Sequence, residues 1–405
     1  MENKKALLFI LATILLDAIG VGIVFPIMPD LMAHVGAGTT ADGAVWGGIL
    51  MVSYAAMQFL FSPVIGAVSD AVGRKPVLLI ALATLAVDYA IMAMATTLGM
   101  LLVGRILAGI AGATYTTATA YLADISKREK RAASFGLIGA TYGVGFVFGP
   151  AIGGLAAGWH LSAPFWLAAG LAAVNVVFGL FVLPESLPKA RRRAFRRADM
   201  NPFAAILGAF RLPGLALPLA CLFVFEFANM VYPTLWAFWT REVFGWSTAV
   251  IGITLAAYGV GVAFSQGMVL PMMVARLGEF RTLIFGLLCG VGAMIIFGVT
   301  QTAWVVFAVI ILAALSDMVP PTMTAILSGR VDEDRQGVLQ GVIASLGSIS
   351  AVIAPLVMTS VFQASARHDG AFYLPGAPFL MSAALLIIML PFALRLVKNR
   401  RSTKN

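Results

Sequence analysis

Twelve long apolar runs follow one another along this chain, at about 6–32, 45–67, 77–97, 99–122, 132–157, 163–183, 214–240, 249–272, 282–300, 303–326, 338–363 and 376–395. A bilayer with a hydrocarbon core of ~30 Å demands roughly 20 apolar residues per helical crossing, and most of these runs meet it. In lipid every backbone N–H and C=O must be satisfied inside the segment, so such runs have to fold as helices. Only 11% of the residues are charged and 60% are hydrophobic. A soluble domain carries about 25% charged residues, which excludes a water-soluble globule.

The net charge of +9 would suit a nucleic-acid partner if it were spread over one face. It is not. Of the 27 Lys and Arg, 24 fall in clusters at alternate ends of the runs: Lys4–Lys5, Arg74–Lys75, Lys127–Arg131, Lys189–Arg211, Arg276–Arg281, Arg330–Arg335 and Arg395–Lys404. That asymmetry is the positive-inside rule, and it places both termini in the cytoplasm, with the bilayer rather than nucleic acid as partner. The first run continues to Met32, too long for a cleaved signal, so it reads as a span. Cys221 and Cys289 lie inside apolar runs, and His34, His160 and His368 in outer connections, so no metal site is expected.

The interruption from Pro184 to Pro213 carries Arg191, Arg192, Arg193, Arg196 and Arg197. It divides the chain into a bundle of six helices at 1–186, a basic cytoplasmic linker at 187–213 and a second bundle at 214–405. A weak repeat relates the halves: Gly136 precedes Pro150 by fourteen positions, as Gly341 precedes Pro355. The expected fold is an all-α membrane protein of two pseudo-symmetric bundles, an architecture shared by alternating-access transporters.

Between the second and third runs stands Gly66-Ala-Val-Ser-Asp70-Ala-Val-Gly73-Arg74-Lys-Pro76. Asp70 precedes Arg74 by one helical turn, and Gly73 permits a tight bend. A solvated turn needs no such order. The segment is expected to sit beside the inner turn that opens at Asp124, where Asp70, Arg74 and Asp124 would latch the cytoplasmic side shut.

Four acids fall well inside the runs: Asp17, Asp88, Glu226 and Asp317. Each stands ~11 to 14 residues from its helix start, hence ~16 to 21 Å along the axis. A carboxylate at that depth costs roughly 2.5–3.5 kcal/mol on insertion scales. Four of them can converge on one cavity, where each would hold either a proton or a cationic substrate. Arg105 is the base well inside a run, and must meet an acid or a carbonyl. Gln58, Tyr89 and Asn229 are candidate cavity hydrogen-bonders. Trp236 and Trp239 would stack on a planar ligand or, the default near a helix end, belong to the interfacial belt. Pro320-Pro321 after Asp317 would kink the tenth helix. In the fifth, Gly139, Gly143, Gly145, Gly149, Gly153 and Gly154 make a smooth surface for close packing, with a kink at Pro150.

Several of these stretches carry a family resemblance. The turn at Gly66–Pro76 resembles the inner-loop signature of the major facilitator superfamily, and Arg105-Ile-Leu-Ala-Gly109 its fourth-helix arginine motif. Gly145-Phe-Val-Phe-Gly149-Pro150-Ala-Ile-Gly153-Gly154 is similar to the fifth-helix signature of drug–proton antiporters. Leu15-Leu-Asp17-Ala-Ile-Gly-Val-Gly22, Tyr54-Ala-Ala-Met-Gln58, Asp88-Tyr89, Gly109-Ile-Ala-Gly-Ala-Thr114 and Phe244-Gly-Trp246 resemble the tetracycline efflux pumps. The resemblance implies a monomeric exporter in a bacterial inner membrane, driven by protons with no cofactor. Its substrate would be amphipathic, cationic or carried as a divalent-metal chelate. From their depth, Asp17, Asp88, Glu226 and Asp317 are the expected proton-coupling acids, with Arg105 tuning them; the resemblance implies that the fifth-helix motif suppresses leakage.

The chain departs from the better-known pumps in two places. It has no histidine in the eighth run and no acid in the ninth. Asp317 and Glu226 are expected to supply that charge from other helices. The alternative on the same fold is a proton-coupled importer or exporter of a small metabolite. An enzyme finds no support here, and a mere scaffold would leave the four acids without a purpose.

Overall fold

A computed structural model describes residues 2–112, 114–125, 131–192, 201–203, 214–332, 335–367 and 373–402. The inner turn at 126–130, most of the linker (193–200 and 204–213) and His368 lie outside the described residues. The described chain is helical throughout, with no strand. Among the described residues, eleven stretches are long and apolar enough to cross a membrane.

The first seven helices are α1 (Glu2–His34), α2 (Thr40–Val72), α3 (Arg74–Met94), α4 (Leu98–Ala111), α5 (Thr114–Ile125), α6 (Arg131–Ala157) and α7 (Ala163–Val182). The second half holds α8 (Ala216–Asn229), α9 (Val231–Phe244), α10 (Thr248–Phe264), α11 (Leu270–Leu277), α12 (Glu279–Val299), α13 (Ala303–Ser316), α14 (Val319–Ser328), α15 (Gln336–Ser365) and α16 (Ala377–Ser402). The expected fourth span is thus split into α4 and α5. The seventh and tenth spans are split too, into α8–α9 and α13–α14, while a π-helical turn at Ser265–Val269 joins α10 to α11.

Proline explains two of the breaks. It has no N–H, so the carbonyl four residues earlier loses its partner. Pro233 frees the carbonyl of Asn229, where α8 ends. Pro320 and Pro321 free those of Ser316 and Asp317, where α13 ends.

The turn at Gly66–Pro76 is tighter than a hairpin loop. Ser69 and Asp70 do not interrupt α2, which continues to Val72, and α3 begins at Arg74. Gly73 alone makes the bend, at φ +113°, a backbone conformation that favours glycine.

By proximity the chain divides into two compact units: 1–37, 50–202 and 248–256, and 38–49, 203–247 and 257–405. In the first, α1 packs along α6 and α3 along α7. Its core includes Phe9, Ile10, Ile14, Leu78, Leu82, Tyr121 and Leu122. Buried Asn175 ties α7 to α1 by donating to Thr13 Oγ1 at 2.9 Å. In the second unit α12 packs along α16. Here Tyr232, Trp236, Trp239, Phe297 and Phe379 form one aromatic cluster. Trp236 and Trp239 are 4% and 1% exposed, so they pack inside this unit and neither joins an interfacial belt. Periodicity cannot separate those fates, because an aromatic near a helix end suits either.

Candidate functional site

The charge cluster at the α2–α3 bend lies wholly within the first unit. Arg74 contacts Asp70 at 2.5 Å, Asp124 at 3.4 Å and Ser69 Oγ at 2.5 Å. Gly66 faces open space. Glu185, just beyond α7, was not singled out from the sequence. Its carboxylate accepts from the backbone N–H groups of Arg74 (2.8 Å) and Lys75 (3.3 Å), capping α3 at the helix end that favours an anion. Ser186 donates to Asp124 at 3.1 Å, closing the network. Asp70 remains one-third exposed. Its pair with Arg74 therefore contributes at most ~1 kcal/mol, the scale of a contact that can break and reform. Asp70→Asn is expected to shift a conformational equilibrium by up to about fivefold. Reactivity of a thiol engineered beside the cluster and the transport rate would both report it. If both stayed at wild-type values, the cluster would be a static brace.

The glycine motif of α6 is a seam. Gly145, Gly149 and Gly153 recur every fourth residue and so share one face. A Cβ there would lie 2.7 Å from the Leu15 carbonyl, 2.6 Å from that of Ile19 and 2.7 Å from that of Ile23, all on α1. Gly22 of α1 returns the contact: its Cβ would stand 2.8 Å from Pro150 Cδ. Gly154 is turned to α10, 2.7 Å from the Thr248 carbonyl. Gly139 and Gly143 meet nothing within 4 Å, so the smooth surface is confined to the motif. The repeat seen in the sequence has a structural counterpart. Gly252 lies against the Pro150 carbonyl in the first unit, and Gly48 against the Pro355 carbonyl in the second. Gly149→Val is expected to lower stability by roughly 1–3 kcal/mol through overpacking, read as a drop in melting temperature in detergent. Gly143→Ala should stay within about 0.5 kcal/mol of wild type, because its Cβ enters open space.

Asp88 and Arg105 form a buried ion pair between α3 and α4. Asp88 has no exposed surface, and a Cβ on Gly104 would come within 2.7 Å of its Oδ1. Arg105 also lies 2.9 Å from Met92 Sδ and has the Tyr54 ring 5.6 Å away. Asp88 Oδ1 and Arg105 Nε have no hydrogen-bond partner among the described residues. This pair answers what Arg105 meets: it is Asp88. Gln58 donates to the Gly112 carbonyl at 2.9 Å, bridging α2 to the break after α4.

Asp17 has a different setting. It is half-buried on α1 and is the acid on the wall of an apolar pocket made with Gly20, Leu82, Leu85, Tyr89, Ala168 and other residues of α1, α3 and α7. Tyr89 is 3% exposed and presses its hydroxyl against Gly20.

In the second unit Asn229 Nδ2 donates to Asp317 Oδ1 at 3.2 Å, and the Tyr258 hydroxyl donates to Oδ2. Gln266 Nε2 donates at 3.0 Å to the Asp317 carbonyl, the one freed by Pro321. Glu226 stands three residues before Asn229 on the same face of α8 and within electrostatic reach of Asp317. Tyr258 and Gln266 were not found from the sequence. Each is a neutral residue in an apolar run, and its partner is more than fifty positions away. Among the described residues no cluster of His, Cys, Asp or Glu could hold a metal ion.

Buried acids on helices with proline breaks, glycine seams and a repeated bundle describe a membrane transporter. The Major Facilitator Superfamily model matches residues 10–355, and the chain belongs to that superfamily. It is 38% identical over 392 residues to the class C tetracycline resistance protein of Escherichia coli, covering 96% of this chain and 97% of that one. The class G tetracycline resistance protein of Vibrio anguillarum is 36% identical, with 94% and 96% covered. The fold also matches the crystal structure of the nucleoside transporter NupG at a TM-score of 0.77 and 13% identity, over 97% of this chain and 99% of that one.

Proposed function

We propose that this chain is a proton-coupled antiporter that exports a tetracycline-like drug from the cytoplasm by alternating access. Near-full-length identity to tetracycline resistance proteins of several classes carries the reading. Import of a metabolite on the same fold is not favoured by those relatives. Asp17 and the Asp317–Glu226 pair supply acids for proton exchange. The Asp88–Arg105 pair holds a fixed charge within the first unit, and the cluster around Arg74 acts as the cytoplasmic gate. The chain works as a monomer in a bacterial inner membrane with both termini in the cytoplasm. The substrate travels either as an organic cation or as a divalent-metal chelate.

The direct test uses everted membrane vesicles that carry the full chain, with a proton gradient set inside. Adding tetracycline should release protons at a rate that saturates with drug. A susceptible bacterium expressing the chain should survive a higher tetracycline concentration. Neither response to tetracycline, alongside a response to another drug, would move the substrate; no response to any drug would overturn export.

A further inference from the structure

Asp88, inside α3, and Asp317, at the break between α13 and α14, are both buried acids, yet they are held in opposite ways. Asp88 is locked by the fixed cation of Arg105. Asp317 is 8% exposed, and its carboxylate is held by two neutral donors, the Tyr258 hydroxyl and the Asn229 amide, with no ion pair among the described residues. A fixed guanidinium competes with any arriving cation. Neutral donors do not, and they can turn aside.

The cradle is also built from outside α13. The ring of Tyr258 is backed by that of Tyr232, with centroids 5.8 Å apart. The π-helical turn at Ser265–Val269 inserts an extra residue into the helical ladder, a feature frequent at functional sites. From that turn Gln266 reaches the Asp317 carbonyl, which Pro321 leaves without a backbone donor. The eighth span thus grips Asp317 at two points, its carboxylate and its main chain.

We propose that Tyr258 is the positioning residue for cation exchange at Asp317. Resting on the antiport reading, its hydroxyl holds the ionised carboxylate toward Asn229 until a proton takes that oxygen. The proton binds Asp317 Oδ2, the phenol keeps its own proton, and the bond between them loosens. Release of the proton restores the grip. Gln266 keeps the main chain in register throughout, so that only the carboxylate moves.

Tyr258→Phe removes one oxygen and keeps the ring on Tyr232. The first readout needs no drug: labelling of Asp317 by dicyclohexylcarbodiimide in membranes, followed by peptide mass mapping. A carboxylate released from its donor should label about tenfold faster, the scale of one hydrogen bond to a charged group. The second readout is kinetic, in everted vesicles with tetracycline. Turnover should fall about tenfold while KM changes far less, because the hydroxyl acts on the acid and not on the drug. Introduced into Asp317→Asn, the same substitution should cost little further turnover. Unchanged labelling of Asp317 in Tyr258→Phe would overturn the proposal, as would an equal loss of turnover with and without the Asp317 carboxylate. If the wild type moved no drug at all while labelling still depended on Tyr258, the positioning role would stand and the transport reading would fall.

Discussion

Asp17→Asn is expected to reduce proton-driven efflux to the background of vesicles that lack the protein, while the chain still folds and inserts. The carboxyl lines an apolar pocket between α1, α3 and α7, at a depth where an aspartate costs roughly 2.5–3.5 kcal/mol to insert. An amide of the same size removes that cost, so stability should hold or rise. What the amide cannot do is bind and release a proton. Loss of uphill efflux with unchanged yield and melting temperature would therefore assign Asp17 to coupling. Loss of both would make it a packing residue. Uphill efflux at the wild-type rate would remove it from the proton path and leave Asp317 and Glu226 as the acids to test.

Most of the fold was legible because the bilayer leaves the chain few options. A long apolar run must be a helix, and positive clusters at alternate ends order the crossings. What escaped was what happens within and just beyond each run. Ser69 and Asp70 are polar, yet they continue α2, since a helix leaving the membrane needs no apolar face there. The break after α8 follows from Pro233 by counting back four residues to Asn229. The same count at Pro320-Pro321 was suggested by the doubled proline, whereas a single proline near tryptophans drew no notice.

The candidate site was legible where charge marks it. An aspartate or arginine in an apolar run is conspicuous, and the pairings of Arg105 with Asp88 and of Arg74 with Asp70 and Asp124 join residues picked out that way. Neutral partners left no such mark. Tyr258, Gln266 and Ser186 matter through hydrogen bonds to groups remote in sequence. Glu185 is charged, but its role depends on the two free N–H groups at the start of α3, 111 and 110 positions earlier. Trp236 shows the converse. It has the chemistry to stack on a drug, but its surface is already covered by Tyr232, Trp239 and Phe297.

Arg105→Met should be among the most destabilising single changes in the first unit, at about 3–5 kcal/mol, because it leaves the carboxylate of Asp88 buried and unpaired. The loss of the guanidinium over the Tyr54 ring adds to it by about 0.5–2 kcal/mol. The expected measurement is a marked fall in the melting temperature of the detergent-solubilised chain. The double variant Arg105→Met, Asp88→Asn removes the orphaned charge and should recover more than half of that fall, since replacing both partners of a buried pair is often close to neutral. The recovery separates two roles that the geometry alone permits. If the double variant regains both stability and efflux, the pair is a structural link between α3 and α4. If it regains stability but not efflux, the fixed charge beside Asp17 is part of coupling. A single variant as stable as wild type would mean that Asp88 is not ionised in the fold, and the pair would then be a hydrogen bond between an acid and a guanidinium with no charge to lock.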